Sequence, residues 1–133
     1  MERESIALWL KLAAGALAAA WGGLPVLIQV LISLMALDIL TGLLAGYVTR
    51  SLSSDVSWRG VGKKGLVLLV VASGAVLEQP TGLPVGQAIA GFYAAHEGLS
   101  IVENAARAGL PVPQVLRDAL QKLSPDVREA RDG

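Results

Sequence analysis

Residues 25–48 read PVLIQVLISLMALDILTGLLAGYV, with Asp38 the one charged side chain among them. A helix crosses the hydrocarbon of a bilayer with roughly 20 mainly apolar residues, and this stretch meets that requirement easily. The expectation is therefore an integral membrane protein that crosses the bilayer as α-helices. Three further apolar blocks flank it, at about 6–21, 65–77 and 85–110. The first reaches spanning length with help from Lys11 or its tryptophan ends. The third is short, and spans only if Lys63 and Lys64 snorkel to the interface at one end, with Glu78 near the other. The fourth is the most polar.

The connections and charges fit four crossings. Gly22, Gly23 and Pro25 make a tight break that suggests a helical hairpin. Residues 50–64 read as a polar loop with Ser51, Ser53, Ser54, Asp55 and Ser57. Pro80, Thr81, Gly82 and Pro84 separate the third block from the fourth, and Pro111 and Pro113 end the fourth. Arg3, then Arg50, Arg59, Lys63 and Lys64, then Arg107, Arg117, Lys122, Arg128 and Arg131 fall at the N-terminus, the second connection and the C-terminal end, while 22–25 and 79–84 carry none. Four spans with both termini in the cytoplasm put these flanking charges on one side, as the positive-inside rule requires; three spans do not. A signal-peptide reading of the first block, with Ala18 and Ala20 as an A-x-A site, is disfavoured by Glu2, Glu4 and the interruption at Lys11.

Composition agrees. The chain has 133 residues, 53% hydrophobic and 17% charged, with mean hydropathy +0.57, too apolar for a soluble domain with so much surface per volume. Zero formal net charge gives no pointer to nucleic acid, and zero cysteines remove disulfides and thiolate chemistry. No phosphate loop, serine elbow or HExxH motif is present. The expected fold is an all-α membrane bundle of about four transmembrane helices over 1–112. A cytoplasmic amphipathic helix follows, with Val115, Leu116, Ala119, Leu120 and Leu123 on its apolar stripe, and then a solvated tail, over 113–133.

Polar residues inside the spans are the candidate site. A carboxylate at Asp38 is costly in lipid, so it faces protein or water, or is protonated. Gly42 and Gly46 follow at four-residue steps on the same face, with Thr41 and Thr49 nearby, and Gly42–x3–Gly46 is a small-xxx-small motif that admits a second helix. This face reads equally as packing and as an ion-handling site. The alanine-rich first block reads equally as packing within its own bundle and as contact between protomers. In the fourth block, His96, Ser100, Glu103 and Arg107 step by four, three and four, forming a stripe roughly 16 Å long, with Glu97 and Asn104 beside it. Glu103 and Arg107 have ion-pair spacing. The stripe is buried against other helices, holding Asp38 or a lysine; or it lines a pore or oligomer interface; or it binds a metal or proton. A single histidine is weak evidence for a metal, and no cofactor is indicated.

These residues together resemble the phage holins of the toxin-secretion and phage-lysis type (holin family 4). The shared order is Asp38-x-x-Thr41-Gly42, the serines Ser51, Ser53 and Ser54, the Gly60-x-x-Lys63-Lys64 entry, Glu97-x-Leu99-Ser100-Ile101-x-Glu103-Asn104, and Gly109-x-Pro111-x-Pro113. It covers about residues 36–123; the first helix lies outside it, and Glu78 stands where that family suggests aspartate. The resemblance implies a non-enzymatic protein of the host bacterial cytoplasmic membrane. It implies homo-oligomers among membrane lipids, opening lesions that release an endolysin and lyse the cell, with an antiholin as a candidate regulator; some relatives are proposed to export large toxins without lysis. The residues alone leave two alternatives: a small ion channel or transporter with buried charges, and a non-conducting antiholin or membrane anchor.

Overall fold

The computed structural model describes residues 1–123, without the side chains of 55–57, 120 and 123. The tail expected at 124–133 lies outside the described residues, as do the side chains of Leu120 and Leu123 in the expected apolar stripe. Five helices follow in order: α1 Glu2–Gly22, α2 Val26–Val48, α3 Ser54–Thr81, α4 Val85–Arg107 and α5 Gln114–Leu123, with no strand among the described residues. Three stretches are long and apolar enough to cross a membrane: α1, α2 and Trp58–Thr81 of α3. At 23 residues α4 equals α2 in length but is more polar. Exposed Tyr47 and Trp58 mark the end of α2 and the start of the α3 span, where amphipathic rings suit a membrane interface.

The turns are specified locally. Between α1 and α2, the Gln29 side-chain amide donates to the Trp21 and Leu24 carbonyl oxygens at 3.1 and 3.0 Å, tying the hairpin to the first turn of α2. At the end of α2, Arg50 takes φ 55°. Its N–H bonds Tyr47 O and that of Ser51 bonds Gly46 O, so the freed carbonyls find donors in a Schellman reversal.

The polar loop expected at 50–64 is corrected to a short one. After the reversal only 51–53 remain extended or bent, and α3 starts at Ser54. It is 28 residues long, the longest helix and not the shortest crossing. A helix satisfies its own backbone donors and acceptors, which a long loop at the membrane surface leaves to water. Nor does Pro80 end it. A proline in the last turn removes one donor, and α3 runs on to Thr81, stopping at Gly82 with φ 67°. Glu78 then reaches across the turn, its Oε1 accepting from the Gln87 N–H at 3.0 Å, one of the free amides of the first turn of α4.

The core lies between α2, α3 and α4. Leu31, Met35, Val71 and Ala90 form its buried centre, with Leu27, Ile28, Val67, Ile89, Tyr93 and Ala94 around it. The polar helix α4 is central: it packs broadly on α2 and α3 and carries α5, whereas α2 and α3 meet over a small area. Helices α3 and α4 approach closely at Gly74 and Gly86. A Cβ on Gly86 would stand 2.7 Å from Ala75 N, and one on Gly74 2.8 Å from Gly86 Cα. Helix α1 stands apart, with none of its residues buried.

Candidate functional site: a charged cluster inside the bundle

The packing of α2, α3 and α4 brings three ionisable groups together. Asp38 sits midway along α2, Lys64 a little over a third of the way along α3, and Glu97 midway along α4. Lys64 Nζ donates to Asp38 Oδ2 at 2.7 Å and also to Glu97 Oε2. The side chains of Lys64, Asp38 and Glu97 are 15%, 14% and 6% exposed, so one ammonium bridges two nearly buried carboxylates. Asn104 completes the arrangement: its amide donates to Asp38 Oδ1 at 3.0 Å, to Asp38 O at 3.2 Å and to Thr41 Oγ1 at 3.1 Å. Arg107, exposed at the end of α4, donates to Gly42 O at 3.2 Å. Ion pairing of this kind answers the cost of burying charge in an apolar medium only when the remaining polar atoms are also bonded, and Asn104 does that for Asp38.

Beside the cluster, a cavity of about 410 Å³ opens with Asp38, Lys64, Ser100 and Asn104 on its polar side and Trp58, Gly60 and Val61 at its apolar rim. It is a pocket reaching from the bundle surface to the ion pairs.

Several sequence-derived expectations change here. Asp38 is buried and paired with a lysine, as the cost of a carboxylate in lipid requires. Lys64 is not an interfacial anchor: because α3 begins ten residues earlier, it lies within the helix and points inward, while Lys63 is exposed. The stripe on α4 is shifted. The inward line is Ala90, Glu97 and Asn104, at seven-residue steps, with Ser100 at the cavity. Glu103 and Arg107 are exposed and His96 is half-buried. No ion pair joins Glu103 to Arg107 among the described residues, because Arg107 turns to Gly42. The Gly42–Gly46 face does not take a bare helix backbone. A Cβ on Gly42 would meet the Asn104 side chain, and one on Gly46 would meet Leu52 at 3.0 Å. The tight helix crossing is instead Gly74–Gly86, which sequence reasoning passed over; its available signal was a glycine on each side of the Pro80–Pro84 turn. Among the described residues no group of three His, Asp or Glu side chains could hold a metal ion.

Residues 15–125 match the model of the bacteriophage holin family. The chain belongs to that family. A protein of Clostridium perfringens is 39% identical over 100 residues, covering 73% of this chain and 74% of its own. A protein of Halalkalibacterium halodurans is 36% identical over 129 residues, covering 88% and 95%. A protein of the Bacillus phage phi105, named a probable holin, is 33% identical over 101 residues, covering 74% and 75%. No solved structure matches. Membership of the holin family accords with a membrane bundle and extends across α2, α3, α4 and α5, the helices that build and flank the cluster.

Proposed function

We propose that this chain is a working holin: it assembles as a homo-oligomer in the bacterial cytoplasmic membrane and opens lesions through which an endolysin reaches the cell wall. The role makes and breaks no covalent bond. The observation that carries the reading is the Asp38–Lys64–Glu97 cluster, held with Asn104 between three helices. Membrane-embedded charges are tolerated when paired or facing water. In the resting state they are paired, and α4 keeps its polar line against α2 and α3. When the helices part, the same side chains must find water, and a water-lined lesion supplies it.

This reading includes four crossings with both ends cytoplasmic. Shielding by α2 and α3 lets the polar α4 lie at membrane depth, and the positive charges outside the spans then gather on one side. Residues 1–112 form the membrane unit, with α5 and the following tail in the cytoplasm. Endolysin is a functional partner that passes the lesion, and an antiholin is the natural regulator.

The test is inducible expression in a bacterium with and without an endolysin, following membrane potential and lysis. Abrupt loss of potential, followed by lysis only when endolysin is present, is the expected result. In vesicles of the purified chain, release of a trapped folded protein supports the holin reading. Release of ions alone replaces it with a channel, and no permeability or toxicity replaces it with an antiholin or anchor.

A further inference from the structure

Helix α1 carries an unanswered charge. Every residue of it is exposed, and Lys11, midway along, has no hydrogen-bond or ion-pair partner among the described residues. At 3.6 residues per turn, Ala7, Lys11, Ala14, Gly15, Ala18 and Gly22 share one side of α1, with Glu4 at its N-terminal end in the first turn, while Ile6, Trp9 and Leu17 take the other. The lysine thus sits on the side built for close helix approach, and the bulky apolar side is left for lipid. A Cβ on Gly15 would touch nothing within 4 Å, so that side is open.

The bundle carries the complementary deficit. Asp38, Lys64 and Glu97 bring two carboxylates and one ammonium together, a net charge of −1 when all three are ionised. The cavity gives access to Asp38 and Lys64 past Gly60 and Val61 at its rim, and a Cβ on Gly60 would meet nothing within 4 Å. Arg107 also borders the cavity and donates to Gly42 O, one turn beyond Asp38, but it makes no ion pair with Asp38 or Glu97, whose carboxylates share Lys64. Depth matches as well. Lys11 lies eleven residues before the end of α1 and Asp38 twelve residues after the start of α2, about 16 and 18 Å from the shared turn at 1.5 Å per residue. The chain's own α1 leaves the cavity uncovered, and Gln29 holds the turn from which it departs.

We infer that α1 of one copy docks by its small-residue side over the cavity of a second copy, so that Lys11 adds a second ammonium to the Asp38–Lys64–Glu97 cluster. The docked α1 runs parallel to α3, since both leave the same side of the membrane, and places Ala7 beside Val61: Ala7 lies four residues before Lys11, and Val61 three before Lys64. The inference rests on the reading of α1, α2 and α3 as membrane crossings and adds to it the interface and the residue exchanged.

The chain contains no cysteine, so cross-linking is clean. The full chain is co-expressed as two single-cysteine variants, Ala7→Cys and Val61→Cys, with distinguishable tags, and membranes are treated with a mild oxidant. A strong mixed dimer is expected. It falls several-fold when Ile6→Cys replaces Ala7→Cys, falls likewise on adding Lys11→Leu, and is kept with Lys11→Arg. Equal yields from Ile6→Cys and Ala7→Cys, or indifference to Lys11→Leu, overturn the interface. So does a product formed only within one chain carrying both cysteines, which assigns α1 to its own bundle. Lysis with no Ala7–Val61 product would leave the holin reading standing and remove this interface alone.

Discussion

At Lys64 one ammonium serves two carboxylates, so its removal is not the loss of a single contact. Lys64→Met leaves Asp38 and Glu97 facing each other without a cation inside the bundle, and breaking a buried ion pair by removing one partner costs about 3–5 kcal/mol. The expected outcome is early unfolding when the purified protein is titrated from mild detergent into a denaturing one. The triple variant Lys64→Met, Asp38→Asn, Glu97→Gln recovers most of the loss, because a neutral cluster has no charge to strand. A Lys64→Met protein as resistant as the parent would show that the cluster is not held by charge. How far this site was legible differs between its members. Asp38 announces itself, since a carboxylate in an apolar block has to find a partner. The partner was hidden, because Lys64 points inward only if α3 begins well before it, and the serines and glycines from Ser51 to Gly62 read as a loop. On α4 polar residues occupy both edges of the inward face, so periodicity alone cannot choose between His96–Ser100–Glu103–Arg107 and Glu97–Asn104. Lys64 of α3, which bonds Glu97, and Asp38 and Thr41 of α2, which bond Asn104, make that choice together.

Among the elements, α3 and α4 depend on a contact without side chains. A Cβ on Gly86 would press on the backbone of Ala75 at 2.7 Å, and backbone cannot swing aside as a flexible side chain can. Gly86→Val should part the two helices at a cost of about 1–3 kcal/mol, the range for overpacking. Gly91→Ala, on the same helix with nothing within 4 Å of the added carbon, should be neutral or gain about 0.5–1 kcal/mol from reduced backbone freedom. Thermal unfolding in detergent compares them, and equal effects at the two glycines would sink the packing argument. The start of α4 offers a second check. Glu78→Ala removes the acceptor for the Gln87 N–H and should cost about 1 kcal/mol, as losing a helix cap does, while Glu78→Gln keeps a carbonyl there and most of the stability. The helices and their turns were legible because glycine and proline punctuate the apolar blocks at 22–25 and 80–84. Boundaries inside polar sequence were not, because a helix extends past its apolar part when nothing stops it, as α3 does from Ser54.

For the whole molecule, the consequence concerns which interface must open. Asp38 and Thr41 of α2 face Asn104 of α4, and a water-lined state frees these groups from one another only if α2 and α4 separate. Preventing that separation should prevent lesions while leaving the protein folded in the membrane. A Cβ on Gly42 would have the Asn104 side chain as its nearest neighbour, so Gly42→Cys with Asn104→Cys brings two cysteines together to tie α2 to α4 in a chain that has no other cysteine. The substitution also removes the Asn104 amide, so the proper comparison is one preparation of the double variant, oxidised and then reduced. In vesicles loaded with a folded protein marker, the oxidised form is expected to retain the marker and the reduced form to release it, with the same amount of protein in the membrane throughout. Release at equal rates in both forms would mean that lesions form with α2 and α4 still joined. The cluster would then be a structural strut, and the water-facing surface would have to come from elsewhere in the assembly.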